Sequence, residues 1–193
     1  MTVFHLTLVS HGLTGPQRAG RFHLEEDGLL APAQVRPVAD LTQSCLSAPE
    51  RRALQTTERL GLLGEVDNAL RDCDLGQWAG KSLKTLQRES PAELAAWLSD
   101  AQAAPHGGES IARLCQRMGD WLDGFDRPGH WVAVTHPMVI RAAMLHVLGA
   151  PPRAFHSIDV QPLARIRLSH YGRWRLQLTE PYPGQPPLPG LSS

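Results

Sequence analysis

The sequence has few cysteines and no excess of charge of either sign. Its 193 residues include only Cys45, Cys73 and Cys115, an odd and sparse set that predicts free thiols in a reducing compartment. Nineteen Lys and Arg residues balance nineteen Asp and Glu residues. Domains that bind nucleic acid through bulk charge carry a basic excess, so the balance argues against a nucleic-acid partner.

Long apolar runs are also missing. No run approaches the roughly 18 residues that a membrane-spanning helix needs, and residues 1–10 lack the cationic region of a signal peptide. We therefore expect a cytoplasmic protein without a membrane partner. Hydrophobic residues make up 42% of the chain, which is enough to form a folded core.

Proline is concentrated at the end of the chain. Five of the 16 prolines lie between positions 181 and 193, in a stretch without apolar periodicity that is typical of an extended or disordered end. The rest of the chain has no internal repeat. The sequence therefore predicts one domain over residues 1–180 and a proline-rich tail over residues 181–193.

Apolar runs alternate with helical patterns along the predicted domain. Buried strands are predicted at 3–9 and 131–135, and further strands at 41–46, 164–168 and 174–178. Helices are predicted at 32–40, from a capping box at Ser47 and Glu50 onward, and at 82–87, 91–98, 109–122 and 137–148, with a long loop over 13–30. This alternation predicts an α/β protein, in which a mainly parallel central sheet lies between helical layers in a three-layer α/β/α sandwich.

Both buried strands end in a histidine. Ser10, His11 and Gly12 follow the first strand, and His136 and Pro137 follow the second. Ligands bind at the carboxyl ends of strands in open sheets of this kind, so both imidazoles are expected at one edge. A neutral imidazole is a nucleophile toward phosphorus, and a helix N-terminus such as that after His136 favours an anion. The alternative is two unrelated histidines at strand ends.

Arg52 is expected at the same edge, near the start of the helix that follows the strand at 41–46. Its guanidinium has the geometry to bind phosphate through two hydrogen bonds. The alternative is a solvated arginine beside Arg51. The other histidines show no spacing typical of paired metal ligands, so no metal site is predicted.

Five motifs in chain order resemble those of the histidine phosphatase superfamily, which includes the cofactor-dependent phosphoglycerate mutases. They lie at residues 8–12, 48–57, 72–80, 105–110 and 134–141. The resemblance extends over about residues 3 to 180. It implies a phosphoglycerate mutase-like fold and a phosphoryl-transfer site at the sheet edge.

The resemblance also implies roles for individual residues. His11 matches the nucleophile that becomes phosphohistidine, Arg52 matches a phosphate-binding arginine, and His136 matches the second histidine of the pocket. Ser10 departs from the family, which has a phosphate-binding arginine at this position. Serine donates one neutral hydrogen bond, and charge-assisted bonds are about twice as strong. A rate penalty of about 10²- to 10³-fold is expected unless another cation compensates.

The remaining implied roles concern the general acid and the substrate. Asp72 matches the general acid, which is usually glutamate in the family, and Asp74 and Glu109 are alternatives. Arg21 matches a pocket arginine of the mutases, and Gly12 is expected to contact substrate beside the nucleophile.

The predicted function is a phosphatase that hydrolyses a phosphomonoester or a phosphohistidine through a phosphohistidine intermediate on His11. The substrate is a small phosphorylated compound, and the reaction requires no metal or organic cofactor. A mutase is disfavoured because no obvious insertion encloses a phosphosugar between turnovers. The alternative function is a degenerate phosphatase that binds a phosphorylated ligand without turnover, which Ser10 would favour.

Overall fold

The computed structural model describes residues 3–30 and 44–178. The predicted helix at 32–40, the first residues of the strand predicted at 41–46 and the proline-rich tail at 181–193 lie outside these ranges. A six-stranded sheet forms the centre of the fold. Its strands are β1 (Phe4–Ser10), β2 (Ser44–Ser47), β3 (Gly64–Val66), β4 (Gly129–Thr135), β5 (Arg165–His170) and β6 (Trp174–Gln177).

The sheet is mixed but mainly parallel, as predicted. The strand order is β3-β2-β4-β1-β5-β6. The first four strands in this order are parallel, and β5 and β6 are antiparallel to their neighbours. β3 was not predicted, because it has only three residues and two of them are exposed.

Helices cover both faces of the sheet. They are α1 (Gly15–Arg18), α2 (Arg51–Arg59), α3 (Leu83–Glu89), α4 (Pro91–Ser99), α5 (Ile111–Asp123) and α6 (Pro137–Leu148). On one face, the Thr57 hydroxyl of α2 donates to the Ser47 hydroxyl of β2 at 3.1 Å. On the other face, the Trp174 indole of β6 donates to the Leu122 carbonyl of α5 at 3.0 Å. The predicted three-layer arrangement is therefore confirmed.

Two local predictions were wrong. The segment 13–30 contains the short helix α1, which Thr14 caps by accepting a hydrogen bond from the Gln17 amide. The predicted capping box of Ser47 and Glu50 does not form, because Ser47 still belongs to β2 and its hydroxyl donates to the Ala48 carbonyl. Glu50 is the N-cap residue of α2, but its side chain makes no capping bond.

The start of α6 agrees with the prediction from Pro137. Proline suits the first helical turn because its missing N–H would have no helical partner there. The helix ends at Gly149, whose φ of 61° lies in the left-handed region that glycine adopts without strain. Among the helices of residues 3–30 and 44–178, none is long and apolar enough to cross a membrane.

Candidate active site

The predicted histidines meet where β1 and β4 end. These strands are parallel neighbours, and Ser10 is paired with Thr135 in their register. His11 and His136 therefore follow them at the same edge, and their ring centroids are 5.3 Å apart. Both residues are fully buried. This contact results from the parallel pairing of β1 and β4, and no feature of the local sequence requires it.

His11 is oriented by its own loop. Its Nδ1 lies 2.8 Å from the Gly12 carbonyl. A carbonyl only accepts, so Nδ1 carries the hydrogen and Nε2 carries the lone pair. The Gly12 amide donates to the Thr56 hydroxyl at 3.0 Å, so this N–H is already engaged and its predicted substrate contact stays a prediction.

The electrostatic surroundings keep His11 neutral. Burial, followed by the neighbouring His136, lowers the pKa of His11 to about 3. Its Nε2 has no hydrogen-bond partner among the residues that the structure describes. His11 is therefore a neutral imidazole with a free Nε2 lone pair, which is the form that a nucleophile needs.

Arg52 lies in the site and is already paired. It is 2% exposed, and its Nη2 donates to Asp72 Oδ2 at 2.7 Å. Its Nη1 donates to the Leu24 carbonyl at 3.2 Å. Burial alone would raise the pKa of Asp72, but His136 and Arg52 outweigh it and hold this pKa well below its usual range. Asp72 is thus a carboxylate before any substrate binds.

Glu50 is a site residue that the sequence interpretation missed. Its Oε2 accepts from His136 Nε2 at 2.7 Å, and its Oε1 accepts from the Asp72 amide at 2.8 Å. Burial opposes ionisation, but the hydrogen bond from His136 contributes to a lowered pKa for Glu50. Glu50 was assigned to a capping box, so its place in the site was not predicted. The available signal was an acidic residue two positions before Arg52, at the predicted site edge.

His23 is a second residue that the sequence did not reveal. Its ring lies edge-on to that of His11 with centroids 5.3 Å apart, and its Nε2 lies 2.7 Å from the Thr14 hydroxyl. Burial and the nearby Arg52 lower the pKa of His23 to about 4. Because His23 lies in a long predicted loop, the sequence around it does not indicate that its ring lies beside His11.

The three candidate acids are in different surroundings. Asp72 Oδ2 lies 3.4 Å from His136 Nδ1 in addition to its contact with Arg52. Glu109 is engaged by two hydrogen bonds from Arg117, at 2.8 and 2.7 Å. Asp74 is exposed, and its carboxylate accepts from the Gly76 amide at 2.8 Å. Of the three, Asp72 is the one in contact with Arg52 and His136 beside His11.

Ser10 and Arg21 do not supply a free cation beside His11. Ser10 is fully buried, and its hydroxyl is 3.5 Å from the His11 carbonyl. Arg21 borders the pocket with its Nη2 3.4 Å from Asp27. Arg52 is paired with Asp72, and His136 is hydrogen-bonded to Glu50, so the guanidinium nearest to His11 is already compensated by a carboxylate.

A cavity of about 720 Å³ opens beside these groups. Arg52, Asp72, Glu50 and His23 border it near His11, and Trp97, Met138, Arg141 and His156 form another wall. The N-terminus of α6 has no side-chain cap, which leaves first-turn amides available to an anion. Within the described parts of the chain, no group of three or more His, Cys, Asp or Glu side chains is arranged to hold a metal ion.

The lowered pKa values of His11 and His23 predict a loss of stability in acid. These pKa values are about 3 and about 4, against about 6.5 in an unfolded chain. Between about pH 4 and 6.5 the unfolded chain binds more protons than the folded protein, so stability falls as the pH decreases through this window. For His11 alone the loss is about 2 kcal/mol from pH 7.5 to pH 5.

The variant His11→Gln should therefore lose less stability on acidification than the wild type. Asp72 does not obscure the effect, because its lowered pKa keeps it ionised in the folded protein at pH 5. Urea unfolding of both proteins at pH 7.5 and pH 5 measures the difference. Equal losses in the two proteins would show that His11 is not held neutral in the folded state.

The protein is an α/β protein, and its pocket holds two histidines in an arrangement that is typical of enzymes that transfer phosphoryl groups. The profile of the histidine phosphatase superfamily, branch 1, matches residues 6–180. The chain belongs to this superfamily, and by class it is a phosphohydrolase.

Curated relatives and solved structures agree with this assignment. The chain is 32% identical over 176 positions to a glucosyl-3-phosphoglycerate phosphatase of Mycobacterium tuberculosis, with 78% of each chain covered. It is 30% identical over 175 positions to one from Mycolicibacterium vanbaalenii, covering 78% of this chain and 77% of the relative. A solved mycobacterial glucosyl-3-phosphoglycerate phosphatase superposes with a TM-score of 0.71 at 26% identity, covering 90% of this chain and 97% of that one.

Proposed function

We propose that the protein hydrolyses phosphomonoesters through a phosphohistidine intermediate on His11. The observation that carries the proposal is the buried, neutral His11 with its Nδ1–H fixed on Gly12 and its Nε2 without a partner among the described residues. In the first step, the Nε2 lone pair forms a bond to phosphorus as the bond from phosphorus to the leaving oxygen breaks.

Three kinds of donor serve the phosphoryl oxygens in this scheme. Arg52 offers its guanidinium once Asp72 is displaced, His136 is adjacent to His11, and the first-turn amides of α6 follow His136. Such donors stabilise charge most strongly in a water-poor site. Ser10 adds no charge to this set, so Arg52 is the principal guanidinium for the phosphoryl group.

Asp72 is the proposed proton donor. Because Asp72 is ionised in the free protein, the proton enters with the monoanionic phosphomonoester, whose second pKa is about 6. The phosphoryl group binds Arg52 in place of Asp72. Its negative charge favours the protonated form of Asp72, so the proton moves from the phosphate to the Asp72 carboxylate. Asp72 then protonates the leaving oxygen, and afterwards accepts a proton from the water that hydrolyses phosphohistidine.

The substrate and the cellular location of the reaction are proposed from the comparisons and from the composition of the chain. Glucosyl-3-phosphoglycerate is the substrate in the names of the mycobacterial relatives, so it is the first compound to assay here. The described cysteines are free thiols, which supports a cytoplasmic location. The balanced charge supports a small-molecule substrate rather than nucleic acid.

Trapping the intermediate tests the proposed function. The protein is mixed with 4-nitrophenyl phosphate, quenched in alkali within the first turnovers and analysed by intact mass and peptide mapping. We expect an acid-labile phosphoryl group on the peptide that contains His11. Turnover without this adduct would contradict the mechanism, and binding of the ester without any release of phosphate would support the ligand-binding alternative.

Ser10 occupies the position of a phosphate-binding arginine in the family, so we expect Ser10→Arg to gain activity. A guanidinium beside His11 would add positive charge to a pocket in which Arg52 is already paired with Asp72 and Glu50 supplies a second carboxylate. We expect kcat/KM for 4-nitrophenyl phosphate to rise by about tenfold or more. Steady-state kinetics at pH 7 measure the change.

The matched control is Ser10→Met, which adds an elongated side chain without charge at the same fully buried position. Thermal unfolding of both variants shows whether the added volume is tolerated. A folded Ser10→Arg variant with unchanged or lower kcat/KM would show that the pocket is shaped around serine, and the missing-arginine explanation would be wrong.

A further inference from the structure

Exposed leucines border the mouth of the active-site cavity. Leu24, Leu83 and Leu98 line this cavity, and their exposed fractions are 36%, 46% and 51%. They come from the loop after α1, from the start of α3 and from the end of α4. A single exposed leucine is ordinary in a folded protein, but several around one opening indicate a surface that binds an apolar group.

The helices α3 and α4 place these leucines at the border of the core. In α3 the buried residue is Leu86, three positions after Leu83. In α4 the buried residues are Leu94 and Trp97, and Leu98 lies four positions after Leu94. Residues three or four positions apart lie on the same side of a helix. The apolar side of each helix therefore extends beyond the core and reaches the cavity.

Apolar side chains also line the interior of the cavity. Met138 lies in the first turn of α6, two residues after His136. Phe22 and Trp97 line the cavity as well, and their rings are edge-on with centroids 6.0 Å apart. Trp97 directly precedes Leu98 in the chain. Apolar contacts are therefore available from the phosphoryl end of the cavity to its mouth.

The charged side chains at the rim of the cavity do not favour an ionised leaving group. Arg21 and Arg71 line the cavity together with Glu25 and Asp74, so the two signs are equal in number at these four positions. Arg21 also has a carboxylate at 3.4 Å, from Asp27. These side chains therefore provide no net charge that would attract an ionised leaving group.

Arg141 also lines the cavity, but its contacts lie outside it. Its guanidinium carbon is 5.6 Å from the centroid of the Phe155 ring, and its Nη2 is 3.8 Å from Asp159. Neither Phe155 nor Asp159 belongs to the described lining of the cavity. The part of the cavity away from Arg52 is therefore better suited to an apolar group than to an anion.

We propose that this part of the cavity is an apolar subsite for the leaving group, and that the substrate is a phosphomonoester of an apolar alcohol. The apolar subsite consists of Phe22, Leu24, Leu83, Trp97, Leu98 and Met138. The inference rests on the proposed function and specifies its substrate class. Full burial of one methylene group in such a subsite strengthens binding about fourfold.

The apolar subsite has a kinetic role because the phosphoryl end of the site is weak. Ser10 contributes no charge, and Arg52 must leave Asp72 before it binds phosphate. Binding energy from a remote group can supply what displacement and orientation at the reacting centre require. An apolar group in the cavity also excludes water, which strengthens the charge interactions around the phosphoryl group. A longer apolar leaving group is therefore expected to raise kcat as well as to lower KM.

Ethyl, butyl and hexyl phosphate test the inference. Their leaving groups are primary alkoxides that need the same protonation, so the three esters differ in apolar length alone. We expect wild-type kcat/KM to increase along the series and to be at least about tenfold higher for hexyl than for ethyl phosphate. A flat series would overturn the inference. A kcat/KM for glucosyl-3-phosphoglycerate above that for hexyl phosphate would also overturn it, because the glucosyl group is polar.

Substitutions at the mouth locate the subsite. In the double variant Leu83→Gln/Leu98→Gln, the ratio of kcat/KM for hexyl phosphate to that for ethyl phosphate should fall at least about fivefold, because amides replace apolar contacts. Both positions are exposed, and thermal unfolding verifies the fold. Leu98→Gln alone replaces the double variant if that protein does not fold. Leu148→Gln is the matched control, since Leu148 is exposed at the end of α6 and does not line the cavity. It should keep the wild-type ratio.

Binding measurements separate this inference from the proposed function. Dissociation constants of ethyl and hexyl phosphate are measured by calorimetry on His11→Gln, with and without the leucine substitutions. Tighter binding of hexyl phosphate that depends on the leucines would support the subsite even if the wild type showed no turnover. An equal affinity for both esters, or a preference for hexyl phosphate that survives the leucine substitutions, would overturn it.

Discussion

Substitution of His11 by glutamine is expected to reduce turnover of every phosphomonoester by at least about 10³-fold, because no covalent intermediate can then form. The amide side chain is polar and of similar reach, so it suits the buried position beside the Gly12 carbonyl. Steady-state assays with 4-nitrophenyl phosphate measure the loss, and circular dichroism verifies that the fold is retained.

His5→Gln is the matched control for this variant. His5 lies on the same strand, where its ring stacks on that of His130 with centroids 4.4 Å apart, and it takes no part in the proposed site. It should retain wild-type turnover. If His11→Gln kept more than a few per cent of the activity, the nucleophile would be another group, and His23, whose ring is 5.3 Å from that of His11, would be the first to test.

Much of the fold was predictable because its strongest signals are local. The strands β1 and β4 are rich in apolar residues and lie at the centre of the sheet, and α6 begins at a proline and ends at a glycine. β3 escaped prediction because an edge strand of three residues leaves no apolar run. The start of α2 was misjudged because Ser47 and Glu50 fit a capping box in sequence while their side chains bond elsewhere.

The site was predictable only in part, because the residues at strand ends could be placed together while Glu50, His23 and the pairing of the side chains could not. Parallel topology brings residues at strand ends to one edge, and this is why His11, His136 and Arg52 could be placed together. The hydrogen bond of Arg52 with Asp72 joins residues 20 positions apart, and that of His136 with Glu50 joins residues 86 positions apart. Such pairs depend on tertiary packing, so no periodicity or motif spacing reveals them.

Replacement of Asp72 by asparagine should affect substrates according to their leaving groups. The amide cannot protonate a leaving alkoxide, so kcat/KM for an alkyl phosphate should fall about 10²- to 10³-fold. A 4-nitrophenolate leaves without a proton, so its ester should slow by less than about tenfold. The variant also removes the carboxylate from Arg52, which should tighten binding of the phosphoryl group and lower KM for the aryl ester.

The pH dependence and two control variants identify the acid. Since the lowered pKa of Asp72 leaves it ionised in the free protein, wild-type kcat/KM for the alkyl ester should fall as the pH rises above about 6, where the monoanionic phosphate loses its proton. Asp74→Asn and Glu109→Gln should preserve both this profile and the leaving-group dependence. Equal slowing of the alkyl and aryl esters by Asp72→Asn would mean that Asp72 only positions Arg52. The proton would then have to come from Glu50, the other carboxylate in contact with His136, because its Oε2 is 2.7 Å from His136 Nε2.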